Sequence, residues 1–353
     1  MLDNLEKIQQ LDKSNLLQNI EDVPDQIIAG WELGGKFVIP SHYYNVKQVV
    51  LTGMGGSGIS SLLASSITHS SSRIPIITLQ NYDLPQFVDG GTLVVITSYS
   101  GNTEESLSCL TDAINRQAKI VVITTGGEMI NIARKYKIPY LEFNYGSPPR
   151  AAFGYTFGLI MQVLNRLNIA EVTDENWASA VKYLINLATK INVHSSSQQN
   201  IAKSYAEQMV GTIPIIIGAE HLSVVAYRWS TQINENAKQA SWFDTLPEMN
   251  HNRICGLDFP KNLRENIKVY ILSSKNIHER TILRESILGQ LFDRNKINYE
   301  TIYLQPSTNK LTEALSFILL GDYISFYLGI LNGVNPGLIQ NVDFIKEKLS
   351  QEA

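Results

Sequence analysis

Short apolar runs recur along the chain, each of strand length and each followed by a stretch whose apolar residues fall at helical spacing. Five come early: QVVLTG from Gln48, IPIITLQ from Ile74, TLVVITSY from Thr92, KIVVITTGG from Lys119 and IPYLEFN from Ile138. Three more follow: IPIIIGAE from Ile213, IKVYILSS from Ile267 and YETIYLQ from Tyr299. Near-continuous apolar strands alternating with helices predict parallel sheets covered on both faces. The segment YGSPPRAAFGY (145–155) interrupts the first series, because two prolines end a strand and fix a loop. From about Ala178 to Ser204 the pattern is helical and polar. The expectation is an α/β chain with an N-terminal helical segment (1–30), a first parallel-sheet subdomain (31–167), a linker helix (168–200), a second subdomain (201–335) and a C-terminal helix (336–353).

Two later stretches carry their own expectations. FILLGDYISFYLGILNGV (317–334) is apolar enough to suggest a membrane, but Asp322 and several glycines favour a buried core helix. In QNVDFIKEKLSQ (340–351), Val342, Ile345 and Leu349 mark a stripe predicted to be buried. Lys346 lies within about 40° of Val342 around the helix, whereas Lys348 points away.

Composition narrows the function. The chain has 353 residues, 44% of them hydrophobic and 18% charged, as a soluble globular protein of two ordinary domains would. A formal net charge of −4 and the lack of any basic run argue against nucleic acid as a partner. Cys109 and Cys255 stand far apart and outside any zinc-binding spacing, so reduced thiols and no metal are expected. The opening segment MLDNLEKIQQLDKS has no apolar core, so a signal peptide is not expected and a cytoplasmic location is.

The candidate chemistry lies at the strand ends. GMGGSG (53–58) follows the first strand and opens a helix, with Gly53, Gly55 and Gly58 in the slots of a dinucleotide fingerprint. That fingerprint also needs an acid at the end of the next strand, where IIT (76–78) stands and Asp83 comes only in a later turn. The third strand leads into SYSGNTEES (98–106). There Ser98, Ser100 and Thr103 offer three hydroxyls beside the orphan amides of the following helix, a neutral cradle for one phosphate. Helix capping by the same residues is the plain alternative. In HLSVVAYRWSTQINENAKQ (221–239), Leu222, Ala226, Trp229, Ile233 and Ala237 form one stripe, and Glu235 lies opposite, free to face a cleft or to pair with Lys238.

SYSGNTEES and GMGGSG resemble the phosphate loop and the first loop of sugar isomerase (SIS) domains. With PPRAAFGY (148–155), INENAK (233–238) and EMNHN (248–252) in the same order, nearly the whole chain resembles the bifunctional phosphoglucose/phosphomannose isomerases. The resemblance implies two SIS-type subdomains and cofactor-free interconversion of glucose 6-phosphate and fructose 6-phosphate through an enediolate, in carbohydrate metabolism. It implies Glu235 as the proton-shuttling base, His251 as the ring-opening group donated by the neighbouring subunit of a homodimer, Arg150 beside the enediolate and Lys346 at the ring-opening end. Ser98, Ser100 and Thr103 would hold the phosphate of the hexose, and Gly55, Gly56 and Ser57 would contact the sugar. Two positions depart from the pattern: Arg253 stands where an acid is common, and Ile339 where the family has a Thr that helps accommodate both C2 epimers, which puts mannose 6-phosphate in question. A sugar-phosphate sensor of the same fold would keep the phosphate loop without needing Glu235, His251 and Lys346 together. An amidotransferase half would expect a glutaminase domain, of which the N-terminus shows none.

Overall fold

A computed structural model describes residues 1–257, 259–304 and 309–352. The chain divides into two compact units. One comprises Glu21–Ile185 with Lys310–Thr312, and the other Met1–Ile20, Asn186–Asn309 and Glu313–Ala353.

The chain starts with α1 (Leu5–Leu11), capped by Asn4 Oδ1 accepting from Lys7 N at 3.0 Å, and α2 (Leu16–Glu21). The first unit then runs α3 (Val23–Lys36), β1 (Gln48–Thr52), α4 (Gly55–Thr68), β2 (Ile76–Leu79), β3 (Thr92–Ser98), α5 (Glu104–Asn115), β4 (Lys119–Thr124), α6 (Glu128–Tyr136), β5 (Tyr140–Glu142) and α7 (Phe153–Arg166). Its five strands are parallel in the order β2-β1-β3-β4-β5. Every residue of β3 is buried, as a central strand covered on both faces must be. Val50, Val94, Ile96 and Val122 pack on Leu110 and Ala113 of α5 and on Met129 and Ala133 of α6. The order reverses between β1 and β3, so the loops after those strands meet at a topological switch point, where open α/β sheets bind ligands.

The second unit takes in α1 and most of α2 and continues through α8 (Asp174–Ile191, shared with the first unit), α9 (Ile201–Met209), β6 (Ile213–Ala219), α10 (His221–Ala237), β7 (Trp242–Leu246), α11 (Leu263–Asn266), β8 (Ile267–Ser273), α12 (Glu279–Asn295), β9 (Tyr299–Tyr303), α13 (Lys310–Leu331) and α14 (Gln340–Glu352). Its parallel strands lie in the order β7-β6-β8-β9. The N-terminal segment belongs here because the buried Lys203 ammonium donates to Asp3 Oδ1 at 2.9 Å and to the carbonyls of Val193 and Ser195. The helix expected from Ala178 to Ser204 breaks after Ile191, and Asn200 caps the next one through its side chain. The strand expected over YETIYLQ is β9, while its last residue, Gln305, lies outside the described residues.

The long apolar segment is α13, a core helix. It is long and apolar enough to cross a membrane, yet 94% of its most apolar window is buried inside the protein. It holds α10 at several levels. Trp229 Nε1 donates to Phe317 O at 2.7 Å, Arg228 forks onto Asp322 at 2.8 and 3.0 Å, and Asn236 Nδ2 meets Ser325 Oγ at 2.9 Å. Leu222, Ala226, Trp229, Ile233 and Ala237 are all buried, as the stripe predicts.

The C-terminal helix corrects an expectation. Val342, Ile345 and Leu349, predicted to be a buried stripe, are 39%, 59% and 51% exposed, and Phe344 is 59% exposed. The amphipathic pattern is real, but among the described residues nothing covers it, and Lys346 is exposed with it.

Candidate active site

Three loops interlock at the switch point of the first unit. The chain leaves β3 at the buried Ser98, whose Oγ pairs with Thr103 Oγ1 at 2.9 Å and accepts from Gly101 N at 3.2 Å. Ser100 Oγ accepts from Asn102 N at 3.2 Å. Thr103 sits at the N-cap of α5 without a side-chain capping bond, so its hydroxyl looks into the loop. The hydroxyls of Ser98 and Thr103 therefore meet at the start of α5, while Ser100 turns onto the backbone of its own loop. Gly101 has φ +67°, and a Cβ there would come 1.9 Å from Gly126 O, so the loop packs on the β4–α6 turn with no room for a side chain. That turn in turn holds the loop, with Met129 N donating to Gly101 O at 3.0 Å and Glu128 N to Asn102 Oδ1 at 2.9 Å.

GMGGSG is the second loop. A Cβ on Gly56 would lie 2.7 Å from both Arg150 Cα and Pro149 O, so this glycine lets the start of α4 close onto the double-proline loop. The contact brings the backbone of Arg150 beside Gly56 and Ser57, and Arg150 itself is 3% exposed rather than a surface arginine. A buried guanidinium keeps its charge and can donate in a fork to an oxyanion. Tyr99, which sequence reasoning passed over, braces the third loop: its hydroxyl donates to Tyr145 O at 2.5 Å and accepts from Ser147 N at 3.0 Å.

Glu235 belongs to the second unit, at the C-terminal end of α10. It lines a cleft of about 580 Å³ together with Lys238, Gln239, Asn335, Leu338 and Ile339. Lys238, the partner weighed from sequence, also makes backbone contacts. Lys238, left-handed at φ +53°, donates from Nζ to the backbone oxygen of Glu235 at 2.6 Å and to Pro336 O at 3.2 Å. One lysine thus ties the end of α10 to the loop that carries Ile339, which fixes the cleft's width at its base. The lysine of the INENAK motif was legible, but its positioning task was not, since that depends on a segment about a hundred residues away.

The first turn of α14 reaches this cleft through Gln340, Asn341 and Val342. His251 ends a short 3-10 turn (Glu248–His251) after β7 and is exposed; Lys346 is exposed on α14. Neither lines the cleft around Glu235. Arg253, at the departure noted in sequence, lies 3.5 Å from Asp244. Among the described residues no group of three or more His, Cys, Asp or Glu side chains is placed to hold a metal ion.

Two parallel sheets flanked by helices, each with its own switch point, make a chain of two SIS-type subdomains. Residues 198–349 match the family model for the bacterial phospho-glucose isomerase C-terminal SIS domain. The chain is 33% identical over 337 residues to a bifunctional phosphoglucose/phosphomannose isomerase of Caldicellulosiruptor bescii, spanning 95% of this chain and 99% of the relative. It is also 33% identical to the protein of that name from Aquifex aeolicus, over 87% of this chain and 92% of the relative. Among solved structures, the C-terminal domain of glucosamine-fructose-6-phosphate aminotransferase from Francisella tularensis superposes with a TM-score of 0.71, covering 92% of this chain and 98% of that one; at 14% identity the likeness is one of fold alone. The chain belongs to the bifunctional phosphoglucose/phosphomannose isomerase family.

Proposed function

We propose that the protein is an aldose–ketose isomerase that interconverts glucose 6-phosphate and fructose 6-phosphate, with mannose 6-phosphate as a poorer substrate. One observation carries the reading: the carboxylate of the INENAK motif opens onto a cleft instead of packing in the core or standing in bulk solvent. The relatives' names support the substrate class.

In this reading Ser98, Ser100 and Thr103 hold the phosphate, and Gly55, Gly56 and Ser57 contact the sugar. His251 protonates the ring oxygen while the C1 hydroxyl gives up its proton to water, and Lys346 assists at that end. Glu235 then takes the proton from C2 of the open aldose, leaving an enediolate shared between C1, C2 and their oxygens. The same carboxylic acid returns the proton to C1 while the O2 hydroxyl proton passes to O1, so that O1 becomes the hydroxyl and O2 the ketose carbonyl. Arg150 offsets the charge on the enediolate oxygen, where a fixed cation acts most on the transition state.

Ile339 bears on the choice of epimer because it shares the cleft with Glu235. An isobutyl-sized side chain there offers no hydroxyl and displaces water. With fructose 6-phosphate as substrate, wild type forms mainly glucose 6-phosphate. Ile339→Thr raises the initial mannose-to-glucose product ratio about tenfold, on the scale at which one side-chain change in a pocket discriminates substrates. Enzyme-coupled assays of each product read this directly. Binding without turnover of either product would replace the enzyme reading by that of a sensor.

We also infer a homodimer in which His251 serves the neighbouring subunit's site. An exposed His251 and the uncovered apolar face of α14 support it, since such patches mark association surfaces. Sedimentation velocity at micromolar concentration is expected to give a species of twice the chain mass; a lone monomer there would end this assignment.

A further inference from the structure

The second unit has a switch point of its own, between β6 and β8, and it is occupied. After β6, Glu220 takes the unusual φ of +48° and starts α10, so that His221, 2% exposed, points its Nε2 at Glu313 Oε2 at 2.8 Å. After β8, Ser274 Oγ donates to the same carboxylate oxygen and Asn276 Nδ2 approaches it at 3.4 Å. Glu313, in the first turn of α13, is 5% exposed, and Ser274 is 3% exposed. The donors therefore come from the two strand-end loops that in the first unit carry GMGGSG and SYSGNTEES. Burial alone would raise the Glu313 carboxyl, but the hydrogen bonds from His221 and Ser274 outweigh it and hold it below the ordinary range.

We infer that the β6–β8 switch point is an anion site for a small carboxylate, and that its resident ligand is the chain's own Glu313 side chain. The site is distinct from the cleft. His221 and Glu235 are fourteen positions apart on α10, about 21 Å at 1.5 Å each, so the two lie near opposite ends of that helix. His221 Nδ1 is buried without a hydrogen-bond partner among the described residues, which fits a ring oriented for the carboxylate by its other nitrogen. With its donors engaged by Glu313, this switch point is closed to a substrate phosphate.

Glu313→Ala in the full chain vacates the site while leaving its donors. Its melting temperature is expected to fall by about 5–10 °C. Sodium formate or acetate is then expected to restore several degrees relative to sodium chloride at equal ionic strength, with wild type unmoved. Equal shifts in both proteins, or none in the variant, would overturn the inference. Because the alanine variant risks misfolding, Glu313→Gln serves as the second variant, keeping the shape and dropping the charge. An anion site loses several degrees on that change alone, whereas a site selecting only shape is left unchanged. Neither measurement depends on sugar turnover, so failure of the isomerase reading would leave the outcome legible.

Discussion

Glu235→Gln is expected to lower the rate of fructose 6-phosphate isomerisation by about 10²–10⁴-fold, the usual contribution of a positioned general base. The amide keeps the size and the cleft contacts of the carboxylate but cannot take a proton from carbon, so the loss falls on kcat, with KM changed by no more than a few-fold. Helix α10 gives this test its clarity. Glu235 is half-buried, lines the cleft and lies opposite the stripe that packs on α13, so its isosteric replacement leaves that stripe in place. A matched melting temperature for the two proteins would exclude unfolding as the cause. A variant retaining more than a tenth of wild-type kcat would remove Glu235 from its assigned task.

The second large effect concerns stability. Arg228 and Asp322 form a bidentate pair in which both side chains are 2% exposed, with Gln232 Nε2 adding a contact to Asp322 Oδ1 at 3.3 Å. Arg228→Met takes from Asp322 its bidentate partner while leaving its charge buried. Removing one partner of such a pair costs about 3–5 kcal/mol. Arg228→Met combined with Asp322→Leu removes both charges and is expected to recover most of that loss, because the cost lies in the stranded carboxylate rather than in the missing attraction. Urea denaturation of wild type, the single variant and the double variant decides it; a single variant within 1 kcal/mol of wild type would show that the carboxylate finds water or another donor.

Most of the architecture could be read from the chain because its central strands are apolar throughout, and such runs are conspicuous. Strand β7 was not among them. WFDTL is an edge strand with Trp242 56% and Phe243 38% exposed, so its pattern mixes polar and apolar positions without the continuous run of its neighbours. The Ser98 loop stood out as a candidate because hydroxyls, a glycine and a helix start are local features. Glu235 was legible as the residue opposite a stripe. What escaped depended on distant segments: the closure of Gly56 on Arg150, the brace from Tyr99, and the tie from Lys238 to Pro336. The α14 stripe misled for the opposite reason. Periodicity reports that a face is apolar, not that the same chain supplies something to cover it.

That open helix separates two kinds of tolerance to change. Substitutions on the buried faces of α10 or α13 act on folding, since those faces build the core. Val342, Ile345, Lys346 and Leu349 bury little within the chain, so changes there leave the fold standing whatever they do to the reaction. A drifting sequence would therefore meet no resistance in α14 from the requirement to fold. Any restraint found on that helix must come from chemistry or from association, which makes it the segment where those two demands can be seen without folding in the way.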